Sequence, residues 1–289
     1  MRPEKNARSF LSNWFYRSIK DVFRGVKKLP NEPIVVRADE VRVWMVGHAT
    51  VLINLFGTTI LTDPVLTHGL PFPRRLISPG YTAEELPPLD YIVVSHAHLD
   101  HLNKTTLRQL AKKTTAIIVP KNCVDLVEWM GFGRVIELGW NEKVTTGDFS
   151  TTAFKVKHWG QRVPWERKGR GYNSYLMEKN GRSVYFGGDT GYDVYFKAIG
   201  AKHHVSIALL PIGAYKPDSF TPNHMNPEQA IKAATDLGCD HVIPIHWGNF
   251  RLSLESIFEP PERFLRHAGQ NGFAKKAHLL QNGESFGLN

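Results

Sequence analysis

Cysteine is scarce. The 289 residues contain two, Cys123 and Cys239, far apart and with no CxxC pair. That excludes a thiolate zinc site and argues against a disulfide framework. Both read as small buried apolar residues in a reducing compartment. Long apolar runs are missing as well. No stretch of eighteen apolar residues occurs, so no membrane-spanning helix is expected. The N-terminus is basic but lacks the apolar core and small-residue cleavage site of a signal peptide, which predicts a cytoplasmic protein. There is no internal repeat and no low-complexity segment. Acidic residues are outnumbered, 27 against 36 Lys and Arg, leaving a net charge of +9. Such a balance suits acidic partners (phosphate groups, nucleic acid, anionic lipid) without choosing among them. With 42% hydrophobic residues the chain has enough to bury a sizeable core.

Two regions are expected, an arm over residues 1–40 and a main domain over 41–289. Within the arm, Phe10, Leu11, Trp14, Phe15, Ile19, Val22, Phe23 and Val26 recur at spacings of three and four. That pattern predicts an amphipathic helix over 1–28, with Ser9 as its cap. Its other face carries Lys and Arg. Docking of the apolar face on the body or on a second subunit, as in a homodimer, is the favoured reading. Peripheral membrane contact through residues 9–26 is the competing one. From Val41 onward short β-branched runs take over, at 41–46, 51–55 and 59–62. Residues 64–90 hold six prolines and read as a long, stiff rim or lid carrying Arg74 and Arg75. Further strands are expected at 91–94, 116–119, 144–146, 150–156, 174–178, 183–186, 207–211 and 242–245. Helices are expected at 104–112, 123–130, 227–237 and 260–269. Strands in runs with intervening helices suggest a layered α/β arrangement.

Thirteen histidines are present, and their placement carries the chemistry. The segment Ser95-His96-Ala97-His98-Leu99-Asp100-His101 directly follows an apolar strand. On extended backbone an H-x-H spacing sends both imidazoles to one side. Asp100 and His101 follow at a turn, within reach of a neighbouring position. Imidazole and carboxylate together suit zinc, and also manganese or iron. Three more candidates each end a β run: His158, Asp189 within Gly187-Gly188-Asp189-Thr190-Gly191, and His246 within Ile245-His246-Trp247-Gly248. Ligands on a rigid scaffold usually sit in such strand-end loops.

The order His96-x-His98-x-Asp100-His101, His158, Asp189, His246 resembles the metallo-β-lactamase superfamily. The resemblance implies a four-layer αββα sandwich with the site at one edge, here preceded by the N-terminal helical arm. It also implies two Zn2+ per chain, with Mn2+ or Fe as substitutes. His96, His98 and His158 would hold the first ion. Asp100, His101 and His246 would hold the second, with Asp189 bridging. The segments Val46-Gly47-His48-Ala49-Thr50, Leu61-Thr62-Asp63-Pro64, Gly188-Asp189-Thr190-Gly191-Tyr192, Pro211-Ile212-Gly213-Ala214-Tyr215 and Ile245-His246-Trp247-Gly248 look like the N-acyl-phosphatidylethanolamine-hydrolysing phospholipase D branch. So does the turn Glu259-Pro260-Pro261.

Two ions about 3.5–4 Å apart can bridge a water and bring its pKa toward neutrality, giving a hydroxide that attacks phosphorus or a carbonyl carbon. Asp100 would orient that nucleophile. His224 lies where the phospholipase branch places an active-site histidine, and is read as general acid or oxyanion contact. His48 is read as holding a backbone turn rather than lining the site. Arg74 and Arg75, with the basic, aromatic stretch 159–172 that includes Arg162, are candidates for substrate phosphate. The leading expectation is therefore a metal-dependent phosphodiesterase of phospholipase D type, acting on a phospholipid or a small molecule. A lactonase or other ester hydrolase is the alternative. RNA processing is less favoured, because no inserted nucleic-acid domain is seen.

Overall fold

The computed structural model describes residues 12, 14, 16, 25–68, 73–111, 114–163, 165–166 and 169–288. Of the amphipathic helix expected over 1–28, only residues 12, 14, 16 and 25–28 are described, and the last four are not helical: Lys27 bridges Ile77 as an extended residue. Trp14 donates its indole N–H to the Arg251 carbonyl at 2.8 Å.

From Val41 the chain runs through β1 (Val41–Gly47), β2 (Thr50–Leu55), β3 (Thr58–Thr62), β4 (Leu89–Val93), α1 (Lys104–Leu110), β5 (Thr114–Pro120), β6 (Arg134–Leu138), β7 (Lys143–Thr146) and β8 (Phe149–Phe154). It continues through β9 (Ser174–Lys179), β10 (Arg182–Phe186), α2 (Tyr195–Gly200), β11 (Ile207–Pro211), α3 (Pro227–Leu237), β12 (His241–Ile245), α4 (Glu259–Gln270) and β13 (Ser285–Leu288). One sheet has the order β13-β1-β2-β3-β4-β5-β6 and the other β12-β11-β10-β9-β8-β7.

Side-chain alternation along each strand builds the layers. On β1, Val41, Val43 and Met45 enter the core between the sheets, whereas Trp44 and Val46 join the cluster under α1. On β11, Ile207 and Leu209 point to the inter-sheet core, and Ala208 and Leu210 pack beneath α2, α3 and α4. Strands buried on both faces must be apolar throughout, which is why β4, β11 and β12 read as continuous runs. Each Val, Leu or Ile so buried contributes about 1.5–3 kcal/mol. The architecture is the expected αββα sandwich.

Local chemistry fixes the start of α3, which follows His224. Asn226 caps α3 by accepting from Gln229 N, Gln229 reaches back to Asn226 N, and Pro227 occupies the first turn. Gly238 at φ 61° terminates it.

Some expectations change. Residues 123–130 form two 3-10 turns, Val124–Leu126 and Glu128–Met130. The β-branched valines are poor helix formers, Val127 leaves helical geometry at φ −130°, and Gly131 closes the segment at φ 92°. Two edge strands, β6 and β13, add to the expected set. β13 exists because β1 supplies its hydrogen-bonding partner, a contact across nearly the whole main domain.

The described parts of the proline-rich segment are tied down rather than free. Val65 N donates to Thr50 Oγ1, Leu76 N to Asn249 O, and Gly80 N to Val46 O. Arg75 is no phosphate ligand. It is 1% exposed, and its guanidinium donates to the carbonyls of Thr67 and Val65 and to Asn249 Oδ1. It also stacks 4.5 Å above Phe250. Burial pulls its pKa down to about 9. Arg75→Ala leaves those acceptors unsatisfied and is expected to cost about 3 kcal/mol, read as a lower urea midpoint. An unchanged midpoint with a raised KM would restore Arg75 to substrate binding.

Candidate metal centre

β3, β4, β5 and β6 run parallel, as do β10, β11 and β12. Their C-terminal ends, with that of β8, open onto one edge of the sandwich. Each candidate ligand sits just past such an end. His96, His98, Asp100 and His101 follow β4, His158 follows β8, Asp189 follows β10 and His246 follows β12.

The structure brings all seven together in two donor sets around one carboxylate. His96 Nε2 is 2.8 Å and His158 Nε2 3.3 Å from His98 Nδ1. Asp100 Oδ2 is 3.5 Å from both His101 Nε2 and His246 Nε2. Asp189 Oδ2 lies between the sets, 3.2 Å from His101 Nε2, 3.2 Å from His246 Nε2 and 3.9 Å from His158 Nε2. Gly188 makes that placement possible. It sits at φ 57°, and a Cβ there would meet Ser95 Cβ at 2.5 Å.

Three of the rings have their outer nitrogens engaged. His101 Nδ1–H donates to Asp63 Oδ2 at 2.6 Å, His158 Nδ1–H to Asn223 O at 3.1 Å, and His96 Nδ1–H to Ser95 Oγ at 2.9 Å. Ser95 in turn donates its N–H and Oγ–H to Asp63. In the neutral rings of His96 and His158 the contact fixes the tautomer and leaves the facing Nε2 a lone pair; His101 presents one once its extra proton is lost. Asp63 holds a positive φ of 30°, and His246 one of 60°. Conformations of this kind in non-glycine residues persist where the surroundings over-determine them.

Divalent cations fit this donor set. His101 Nε2, His246 Nε2 and Asp189 Oδ1 are buried with no hydrogen bond, although opposite charges stand close by. Misaligned, water-free nitrogen and carboxylate donors aimed at common points suit a divalent ion. The charges agree. Burial keeps His96 and His158 neutral, their pKa values well below the usual range, and holds His98 at about 4. Burial opposes charge at His101 too, but Asp189, Asp100 and Asp63 outweigh it and raise its pKa. Burial also opposes charge at His246, yet Asp189 and Asp100 raise it to about 9. Burial would raise Asp100 and Asp189, but the facing imidazoles hold both well below the carboxylate range.

His224 also reaches the site. Its Nε2 is 3.4 Å from Asp189 Oδ2, and its ring packs edge-on to His158 and Trp159. Trp159, 42% exposed, covers His98 and His158 at 4.9 and 4.3 Å. Arg162 takes another role than phosphate capture. Its guanidinium donates to the carbonyls of Ala97 and Leu102, at 2.8 Å each, and so clamps both ends of the histidine-rich turn. Sequence reasoning missed Asp63 as a support and underrated His48, which contacts Asp100 at 3.1 Å. An acid ending a β run was the available signal for Asp63. For His48 the spacing gave none.

A family model for the beta-lactamase superfamily domain matches residues 58–247. The chain belongs to the metallo-β-lactamase superfamily. Within it, the chain is 35% identical over 251 residues to an uncharacterized protein of Mycobacterium tuberculosis, covering 82% of this chain and 67% of that protein. It is also 35% identical over 243 residues to N-acyl-phosphatidylethanolamine-hydrolyzing phospholipase D 1 of Caenorhabditis elegans, covering 76% of this chain and 67% of that enzyme. Among solved structures, a metallo hydrolase of Ignicoccus hospitalis superposes with a TM-score of 0.69 at 22% identity, over 86% of this chain and 99% of that one. That likeness shows the fold. As a superfamily member the protein is a metal-dependent hydrolase.

At pH 7 the metal-free site is expected to hold protons on His101 and His246, which a cation must displace. Metal uptake is therefore expected to release protons at pH 7, and affinity to rise with pH as His246, with a pKa of about 9, and His101 lose their protons. Calorimetry in buffers of different ionisation enthalpy checks this. Identical heats in all buffers would contradict it.

Proposed function

We propose that the protein is a binuclear metal-dependent phosphodiesterase of phospholipase D type. It hydrolyses N-acyl-phosphatidylethanolamine or a close relative to phosphatidic acid and an N-acylethanolamine. The observation that carries the two-ion reading is Asp189, whose single Oδ2 stands within 3.9 Å of nitrogens from both donor sets. His96, His98 and His158 would hold one ion, Asp100, His101 and His246 the other, with Asp189 shared. Zinc suits these donors, as do manganese and iron. The likeness to the nematode enzyme and the net charge of +9 support a lipid phosphodiester as substrate.

Bound divalent ions would supply Lewis-acid stabilisation of the phosphoryl oxygens and activation of water. The residues do the rest. Asp100, 14% exposed at its side chain, faces the open side of the site and orients the attacking water. Trp159 and His224 pack against His158. As water's oxygen joins phosphorus, the P–O bond to the ethanolamine oxygen breaks. That oxygen needs a proton. His224, whose Nε2 lies 3.4 Å from Asp189 Oδ2, would give it.

Metal-loaded protein in mixed micelles is expected to release N-acylethanolamine and phosphatidic acid, detected by mass spectrometry, with no release from Asp100→Asn. His224→Ala should lose about 100-fold or more on this poor leaving group and far less on a nitrophenyl phosphodiester. Equal losses on both would exclude the acid role. Cleavage of lactones but no phosphodiester would replace the assignment with ester hydrolysis.

A further inference from the structure

We infer that His48 is a positioning residue of the metal centre, whose Nε2–H holds the Asp100 carboxylate in place for the Asp100, His101 and His246 donor set. The inference rests on the two-ion reading above. His48 comes from the β1–β2 turn, ahead of residue 58 where the family match begins. It is nonetheless 2% exposed and lies at the centre of the site.

Two roles compete for this ring. Its donor atom and those of Asp100, His101 and His246 all fall within 4.8 Å of one another, so it stands where a fourth ligand would. Hydrogen-bond geometry separates the two roles. The Nε2 atoms of His101 and His246 face carboxylates without an aligned bond. His48 Nε2 makes a formed hydrogen bond to Asp100 Oδ2 at 3.1 Å. A neutral imidazole that donates through Nε2 has its lone pair on Nδ1, turned away from Asp100. His48 is thus a donor to a ligand.

Asp100 has reason to need one. Its side chain is 14% exposed, against 0% for His101, 1% for His246 and 2% for Asp189. It is the member of its set that water reaches and that packing holds least. The turn is built to deliver the contact. His48 takes a left-handed φ of 62° after Gly47 at φ 140°. Its carbonyl accepts from His246 N at 2.9 Å, and its ring lies 4.2 Å from that of His246. Phe250 closes the far side edge-on at 5.1 Å. One residue therefore braces two members of the donor set, one through its backbone and one through its side chain.

The test is Co2+ titration of the metal-free, full-length protein, followed by visible absorption, with thermal unfolding as a fold control. Wild type should show two saturable steps. His48→Asn keeps a residue that tolerates the left-handed backbone but is too short to reach Asp100. It should weaken one step about 10–100-fold and leave the other unchanged. His48→Gln restores an amide donor of greater reach and should recover most of that loss. Wild-type affinity at both steps in His48→Asn would overturn the inference. So would equal weakening of both with a lowered unfolding midpoint, which would mean a turn-former only. Loss of one step that Gln does not recover would make His48 a ligand instead. A single step in wild type would contradict the two-ion reading itself, and the inference with it.

Discussion

Five imidazoles and two carboxylates converge at the strand ends, all but His98 and Asp100 buried, and they cannot satisfy one another. His101 and His246 point at Asp100 and Asp189 from 3.2–3.5 Å without hydrogen-bond alignment. The unpartnered atoms, His101 Nε2, His246 Nε2 and Asp189 Oδ1, are buried, so the mismatch is costly. The fold maintains it nonetheless. Two sheets, each buried on both faces, hold the four contributing strand ends rigid, while positive φ angles at His48, Asp63 and His246 keep local strain at the site. A donor set held this way is stable only with positive charge inside it. In the metal-free protein, protons on His101 and His246 supply that charge. The proposed ions would supply it better.

Around the donors lies a layer that sets their aim. Asp63 collects His101 Nδ1–H and both donors of Ser95, and Ser95 accepts from His96. One buried carboxylate thereby orients a member of each donor set. Arg162 clamps the turn from outside through Ala97 and Leu102. Asn223 does the same for His158 through its carbonyl and carries His224 beside it. Positioning shells of this kind usually govern metal affinity by one to two orders of magnitude, so the centre extends well beyond the seven donors.

Much of this was legible in the sequence for a physical reason. H-x-H-x-D-H after an apolar strand packs four metal-ligating side chains into six positions, a density that a buried core does not tolerate without an ion to hold. His158, Asp189 and His246 each end a run with the period of a buried strand. The layered α/β arrangement followed from strands in runs with helices between them, and the four-layer sandwich from the family resemblance. What escaped depended on distant contacts. β13 becomes a strand only because β1 pairs with it. Arg75 reads as a phosphate ligand in a proline-rich loop, but folding buries it among carbonyls. Arg162 reads the same way, and its partners lie 60 and 65 residues earlier. His48 has no spacing relation to the other histidines, because a turn between β1 and β2 brings it in from another part of the chain.

The central claim is that one carboxylate, Asp189, joins two cation sites into a single reactive centre. Electron paramagnetic resonance of the Mn2+-loaded protein tests it most directly. Two ions bridged at about 3.5–4 Å should give the spectrum of a spin-coupled pair at two equivalents per chain. Asp189→Ala should give uncoupled Mn2+ or a single equivalent. Uncoupled ions in the wild-type protein, or one ion at saturation, would contradict the account.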